Sequence, residues 1–154
     1  MNVLKKYAFW ILSRTGLAVY SRLPIFGPLR VAVGVMRTND GFLVIERSDG
    51  RGLSFPGGIA MPWEGTEQAM VREFAEETGL KVTGSQLKFS YFSGEDVPVN
   101  LAVFEVEAEG QLRGSWEGAP RWARTTELRQ RLLRSQKRIL NTLPELGPDK
   151  CPGS

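Results

Sequence analysis

Residues Gly58 to Leu80 read GIAMPWEGTEQAMVREFAEETGL. This stretch follows the pattern G-x5-E-x7-R-E-U-x-E-E-x-G-U, where U is an apolar residue. The positions that match are Gly58, Glu64, Arg72, Glu73, Glu76, Glu77, Gly79 and Leu80. Because seven of them demand one residue type, a chance match in a chain of this length is rarer than about one in a million. The pattern is therefore a specific one.

The second half of the stretch predicts a helix over Glu67 to Thr78, with Thr66 as its N-terminal cap and Gly79 as a left-handed exit residue. At about 100° per residue, one stripe of this helix is apolar and the opposite one is charged. The predicted core stripe comprises Val71, Phe74, Ala75 and Thr78. The predicted chemical stripe comprises Arg72, Glu73, Glu76 and Glu77.

Three carboxylates at positions i, i+3 and i+4 of a helix repel one another. Arg72 can offset part of this repulsion through Glu76, and it can reach Glu64 if the preceding loop folds back. The remaining charge suits a hard divalent cation, because carboxylate oxygens select Mg²⁺ or Mn²⁺ rather than Zn²⁺. The alternative is an ordinary solvated acidic face. The upstream turn Phe55-Pro56-Gly57-Gly58 favours the metal site, since its glycines let the backbone approach a metal or a phosphate closely.

The motif resembles the signature box of the Nudix hydrolases and is complete at every defining position. The resemblance implies that Glu73, Glu76 and Glu77 hold one or more Mg²⁺ ions. It also implies that a backbone carbonyl of Gly57 or Gly58 joins them and that Arg72 and Glu64 orient the acids. Such a metal would lower the pKa of a bound water for attack on phosphorus. The base would be a glutamate or the metal-activated water.

The chain contains no histidine, which excludes imidazole acid–base chemistry and histidine-ligated zinc. Nudix enzymes often recruit a further carboxylate from outside the box, before a tryptophan in a late loop. Glu117, ahead of Trp122, is the best match and a further candidate metal ligand, with Glu95 second. The alternative for Glu117 is an ordinary loop acid.

Substrate contacts are predicted from residue type and position. The box departs from the usual family pattern at Met61 and Trp63. Trp63 is interpreted either as a platform that stacks on a base or, preferentially, as a staple that packs the loop onto the helix. Arg47, at the end of a predicted strand, is a candidate phosphate ligand or a surface residue. Candidate stacking aromatics are Phe55, Trp63, Tyr91, Phe92 and Trp122, of which at most two are expected to contact substrate.

Length and composition suit a single enzyme domain. The 154 residues are 42% hydrophobic, which is enough for a core. The single cysteine, Cys151, cannot form an internal disulfide, so we predict a cytoplasmic protein.

Basic residues cluster at both ends of a chain whose formal net charge is +3. A C-terminal helix from about Thr126 to Leu143 is predicted to carry Arg129, Arg131, Arg134, Lys137 and Arg138 opposite an apolar stripe of Leu128, Leu132, Ile139, Leu140 and Leu143. Its basic face is expected to be solvated, with RNA or anionic lipid as the alternative. The N-terminal segment is predicted to form an amphipathic helix. This helix would pack on the domain, pair two subunits in a homodimer or lie on a membrane surface. Its apolar run is too short to span a bilayer.

The remaining chain predicts strands at Leu29 to Arg37, Gly41 to Arg47, Val82 to Phe92 and Leu101 to Ala108, the first two joined by an Asp-Gly hairpin turn. The expected fold class is α/β, a Nudix-type α/β/α sandwich with a mixed β-sheet. The expected organisation is an N-terminal helical segment at 1–28, a catalytic domain at 29–143 and a flexible tail at 144–154.

The sequence thus predicts a Mg²⁺-dependent hydrolase of a diphosphate linkage that joins a nucleoside to another moiety. Candidate substrates are modified nucleoside triphosphates, ADP-ribose or other nucleotide sugars, and dinucleoside polyphosphates. The alternative is a non-catalytic Nudix-fold module that binds RNA or an anionic membrane surface. Catalysis is favoured, because three mutually repelling carboxylates make little sense without a cation.

Overall fold

The structure, a computed structural model, describes residues 27–95 and 97–143. The predicted N-terminal amphipathic helix and the tail at 144–154 lie outside the described residues. In the described part, no helix has the length and apolar character needed to cross a membrane.

The first β-sheet is mixed and has the strand order β5-β1-β7-β6. Its strands are β1 (Leu29–Val35), β5 (Gly57–Ile59), β6 (Lys81–Ser93) and β7 (Val99–Glu109). Strand β1 runs parallel to β7, while its other neighbour β5 and the β6–β7 pair are antiparallel. The predicted mixed sheet is confirmed. Its parallel pair joins segments that lie about 70 residues apart in sequence.

The second β-sheet is antiparallel and is centred on β3 (Gly41–Arg47). Its other strands are β2 (Arg37–Thr38), β4 (Leu53–Ser54) and β8 (Gly118–Ala123). The predicted Asp-Gly turn forms, but it joins only the two residues of β2 to β3. The prediction of one strand over Leu29 to Arg37 is wrong, because the chain leaves the first sheet at Met36 and enters the second one.

Helices cover both sides of the sheets, as the sandwich prediction requires. Helix α1 (Thr66–Thr78) encloses one buried cluster with β1, β3 and β7. Helices α2 (Thr125–Arg131) and α3 (Lys137–Thr142) close a second cluster on the opposite side. The α/β/α arrangement is therefore confirmed.

Helix α1 starts at Thr66 rather than after it, and its N-terminal cap is Gly65, whose N–H donates to the Gln68 side chain at 3.0 Å. Its C-terminal end is as predicted, with Gly79 in the left-handed conformation. The predicted core stripe is partly wrong. Phe74 and Thr78 are buried, but Val71 and Ala75 are exposed. Ala69, Met70 and Glu77 are buried instead.

The burial of Glu77 explains why the buried face of the helix differs from the predicted one. A hydrophobic pattern places a carboxylate on the solvent side, because a buried charge is costly unless it is hydrogen-bonded. Here Glu77 accepts a hydrogen bond from the partly buried N–H of Gly57 in β5, and this contact draws its face of the helix toward the sheet.

The prediction of one helix from Thr126 to Leu143 is wrong, because the chain is extended at Leu132 and Leu133. The Leu133 N–H donates to the Leu53 carbonyl at 2.9 Å, which extends the second sheet. A single 3₁₀ turn, Arg134–Gln136, then leads into α3. The buried Gln136 accepts the Phe55 N–H through its Oε1 at 2.8 Å. The apolar stripe is nevertheless buried at Leu128, Leu132, Ile139 and Leu140.

Four side chains tie β3 and β8 to α2: Glu46, Arg121, Glu127 and Arg131. Arg121 donates to Glu127 at 3.1 Å, and Arg131 donates to both glutamates at 2.8 and 2.6 Å. The hydrogen bonds from Arg121, followed by those from Arg131, lower the pKa of Glu127 to about 2.

We expect Glu127→Gln to lower the free energy of unfolding by about 1 kcal/mol at pH 7, because solvent screens this partly exposed cluster. The pKa of Glu127 is lowered in the folded state. Its contribution is therefore present above the unfolded value of 4.5 and is lost as the pH falls toward 2. Urea unfolding of both proteins from pH 7 to pH 3 tests this. Glu109→Gln, at an exposed site without an ion pair in the described part, is the control. A difference that does not shrink on acidification would contradict the assignment.

Candidate metal centre

Two carboxylates of α1 lie against the glycine pair of β5. The Gly57 N–H donates to Glu77 Oε2 at 2.9 Å. At Gly58, an added Cβ would lie 2.6 Å from the carboxyl carbon of Glu73. Gly57 has a φ of +151°, and a side chain there would run into the backbone of Ala32 and Val33 in β1. Both glycines are therefore required by close approach, Gly57 to the sheet and Gly58 to the helix.

Arg72 fixes the orientation of two glutamates. Its guanidinium binds both carboxylate oxygens of Glu64 at 2.9 Å and donates to Glu73 Oε1 at 2.6 Å. A paired fork of this kind holds a carboxylate in a defined plane. The predicted contact between Arg72 and Glu64 is confirmed. The predicted pairing with Glu76 is only a long approach of 3.9 Å.

Burial raises the pKa of Glu77, and the nearby carboxylates of Glu117 and Glu73 raise it further, against the opposing hydrogen bond from Gly57. Burial also raises the pKa of Glu73, which Arg72 partly counteracts. These glutamates therefore form a set of desolvated, mutually repelling carboxylates. A perturbed set of this kind is typical of functional sites rather than of solvated helix faces.

Glu117 reaches this set from a separate part of the chain, the loop before β8. Its backbone carbonyl accepts hydrogen bonds from Ser48, at 2.9 Å from both the N–H and the hydroxyl. Its charge acts on Glu77 and on Glu73. Glu95 is an exposed residue of the β6–β7 loop whose N–H contacts Ser93 Oγ at 3.4 Å. The structure thus places Glu117, and not Glu95, beside the glutamates of α1.

Arg47 lies near the same carboxylates and is held by a residue that sequence reasoning missed. Its guanidinium makes a two-pronged contact with Asp49, at 2.6 and 3.1 Å. The charges of Glu77 and Glu117 also act on it. The available signal was the Arg-x-Asp spacing at the end of β3, which brings the two side chains together across a turn.

The candidate stacking aromatics have very different surroundings. The candidate role of Phe55 in stacking on a base is wrong, because its side chain is 1% exposed. It lies in the core and packs edge-on against Phe42. Tyr91 is buried, with its hydroxyl on the Ser135 carbonyl at 2.6 Å. Trp122 is half-buried against the α1 cluster, and Phe92 is exposed on β6. The prediction that Trp63 packs onto the helix is also wrong, because its side chain is 84% exposed.

Glu76 differs from its two neighbours, since its side chain is 61% exposed. Within residues 27–95 and 97–143, no three acidic side chains converge as a preformed metal site. Cation binding would require Glu76 to turn from solvent toward Glu73, which its exposure permits. The donor set fits a hard divalent cation, because it consists of carboxylate oxygens whose mutual repulsion a cation relieves.

Comparisons with known proteins agree with the fold. A family model described as NUDIX domain matches residues 28–143. A search of curated proteins by sequence found no match. Solved structures with a similar fold include a MutT protein from Bacillus halodurans, with 26% identity and a TM-score of 0.63, covering 79% of this chain and 84% of that one. The ORF135 protein of E. coli has 23% identity and a TM-score of 0.67, with 85% and 99% coverage.

A third similar structure contains two activities in one chain. It is a bifunctional NMN adenylyltransferase/ADP ribose pyrophosphatase from Francisella tularensis, complexed with AMP and a Mn ion. It has 18% identity and a TM-score of 0.63, and the match covers 92% of this chain but 49% of that one. At this identity the likeness concerns the fold alone.

Proposed function

The chain belongs to the Nudix family, and we propose that it is a Mg²⁺- or Mn²⁺-dependent hydrolase that cleaves the diphosphate linkage between a nucleoside and another moiety. It is a hydrolase that acts on phosphorus-containing acid anhydrides. The observation that supports the finer proposal is the contact of Glu73 and Glu77 with the Gly57–Gly58 pair, beside Glu117.

We assign the metal-holding role to five elements of the site: Glu73, Glu76, Glu77, Glu117 and a backbone carbonyl of the glycine pair. Bound Mg²⁺ would neutralise charge on the diphosphate and lower the pKa of an attacking water. Arg72 and Glu64 are positioning residues, because two guanidinium nitrogens of Arg72 bind Glu64 while the third holds the Glu73 carboxylate. The site therefore depends on a hydrogen-bonded frame behind the ligands.

Arg47 is proposed to contact the phosphate groups of the substrate. Asp49 orients its guanidinium, which interacts electrostatically with Glu77 and Glu117 close to the proposed metal site. Trp63 and Trp122 remain candidates for contact with a base. Trp63 is the more accessible of the two, and its ring is available to stack on a ligand. The predicted homodimer, RNA contact and membrane contact stay predictions, as does the cytoplasmic location.

The proposal is tested with a panel of modified nucleoside triphosphates, ADP-ribose, nucleotide sugars and dinucleoside polyphosphates, each with Mg²⁺, Mn²⁺ or EDTA. We expect cleavage of one substrate class, with a nucleoside monophosphate among the products, only in the presence of metal. Product chromatography identifies the bond that is cut. Absence of cleavage across the panel by folded protein would contradict the proposed substrate class and favour a non-catalytic binding role. Cleavage that persists in EDTA would contradict the metal requirement.

A further inference from the structure

A cleft of about 550 Å³ lies beside the β3–β4 loop, outside the set of residues assigned to the metal centre. One wall consists of Gly50, Arg51 and Gly52 of this loop. The other wall begins with the last turn of α2 and continues through the extended Leu132 and Leu133 to the 3₁₀ turn and the first residue of α3. Its lining residues run from Gln130 to Arg134 and include Lys137. The break in the predicted C-terminal helix creates this cleft, because a continuous helix would have no extended segment facing the loop.

The lining of the cleft is strongly cationic. It includes Arg51, Arg131, Arg134 and Lys137 and no acidic residue. Arg131 is already bound by Glu46 and Glu127. Arg51 is mostly exposed and reaches Asp49 only at 3.7 Å. Arg134 and Lys137 are exposed and form no ion pair with any residue of the described ranges. The cleft therefore has positive charge that no residue of the described ranges neutralises.

The two walls are held together before any ligand binds. The Leu133 N–H donates to the Leu53 carbonyl at 2.9 Å and joins the two walls, while the Arg47 N–H donates to the Gly52 carbonyl at 3.0 Å and closes the loop on itself. At Gly50, a Cβ would meet no atom within 4 Å, so the backbone of the loop is uncovered there. A preformed site loses less conformational entropy on binding than a mobile one.

The shape and chemistry of the cleft select one kind of ligand. A concave cleft suits a compact molecule rather than a flat lipid surface. No aromatic side chain is part of its lining, so it does not provide the stacking by which proteins bind nucleic-acid bases. Its guanidinium and ammonium groups, next to loop backbone that no side chain covers, are instead suited to bind phosphate oxygens. We propose that this cleft is a second anion-binding site, which binds an oligophosphate, a short chain of linked phosphate groups.

The β3–β4 loop also connects the cleft to the metal centre. Ser48, two residues before Gly50, holds the backbone carbonyl of Glu117. Arg47, the last residue of β3 before this loop, interacts electrostatically with the Glu77 carboxylate. The oligophosphate in the cleft is therefore either a separate anion or the outer phosphates of a long substrate.

Isothermal titration calorimetry with inorganic tripolyphosphate in EDTA tests the site independently of hydrolysis. The variant Arg134→Gln/Lys137→Gln removes the two cations that form no ion pair within residues 27–95 and 97–143. The matched control, Arg124→Gln/Arg129→Gln, removes the same charge from exposed positions outside the cleft. We expect the cleft variant to raise Kd by about tenfold or more, since two charge-assisted contacts are lost. The control is expected to change Kd by less than about twofold. Thermal unfolding of each variant confirms that the fold is retained.

Equal weakening in both variants would overturn the proposal, because it would indicate general attraction by net charge. Unchanged binding in the cleft variant, or no binding by the wild-type protein, would also overturn it. The source of the anion is identified by steady-state kinetics on the substrate found in the panel. A raised KM with unchanged kcat in the cleft variant indicates the outer phosphates of the substrate, whereas unchanged kinetics with lost tripolyphosphate binding indicate a separate anion.

Discussion

Glu77→Gln is expected to reduce kcat by about a hundredfold or more, because loss of a metal ligand costs at least as much as loss of the groups that support it. The carboxylate of Glu77 lies at the centre of the proposed site, between the Gly57 N–H and the charges of Glu73 and Glu117. Glutamine removes one unit of ligand charge while keeping the size of the side chain. Metal-dependent hydrolysis of the substrate identified in the panel is the measurement.

The fold of the Glu77→Gln variant is expected to survive. The amide oxygen of glutamine can still accept the Gly57 N–H. A neutral amide also avoids the cost of burial that raises the pKa of Glu77, and the smaller cost of repulsion by Glu117 and Glu73. In EDTA the variant should therefore unfold at the same or a higher temperature. Glu67→Gln is the matched control, at an exposed position of the same helix. Wild-type turnover in Glu77→Gln would remove this residue from the proposed metal site.

Alanine at the two adjacent glycines is expected to have opposite consequences. In Gly58→Ala the added methyl group meets the end of the Glu73 side chain, which can move aside. We expect a stable protein whose turnover falls about tenfold or more, since a misplaced ligand group is costly for catalysis. In Gly57→Ala the methyl group meets the backbone of β1, which cannot move. We expect this variant to lose about 3 kcal/mol of stability or more.

Urea unfolding and metal-dependent turnover, measured on both variants, separate these effects. Gly94→Ala is a control for substitution of a loop glycine, because its Cβ would make only ordinary contact with Phe92 at 3.7 Å. Full activity in Gly58→Ala would show that the close approach of Glu73 to β5 is not needed for hydrolysis. Equal stability of the two variants would contradict the packing of Gly57 against β1.

The parts of the site that follow one another in sequence were predictable, and the parts that depend on folding were not. The contact of Arg72 with Glu64 was open to prediction, because it requires only that the preceding loop folds back onto its own helix and needs no distant partner. The buried position of Glu77 could not be read from helical periodicity, which assigns carboxylates to the solvent side. Its burial depends on the Gly57 N–H, whose position is fixed by β1.

The predicted C-terminal helix is a second case in which the local sequence pattern did not predict the structure. Its residues have good helical periodicity, and no proline or glycine between Thr126 and Leu143 marks a break. The break arises because Leu132 and Leu133 form backbone contacts with Leu53, about 80 residues earlier in the chain. Tertiary contacts of this kind override local propensity. The parallel pairing of β1 with β7 was equally invisible, since no local pattern specifies a distant partner.

The hydrogen bond from the Phe55 N–H to Gln136 has a consequence for the order in which the protein is made. Phe55 directly precedes the turn that leads to Gly57, but its partner is synthesised 81 residues later. During translation, the box and its glycines leave the ribosome well before the side chain that satisfies this buried donor. Contacts between distant residues form late in folding, because the intervening chain must first be closed into a loop. The turn before the proposed metal ligands therefore lacks one buried hydrogen bond until Gln136 has been translated.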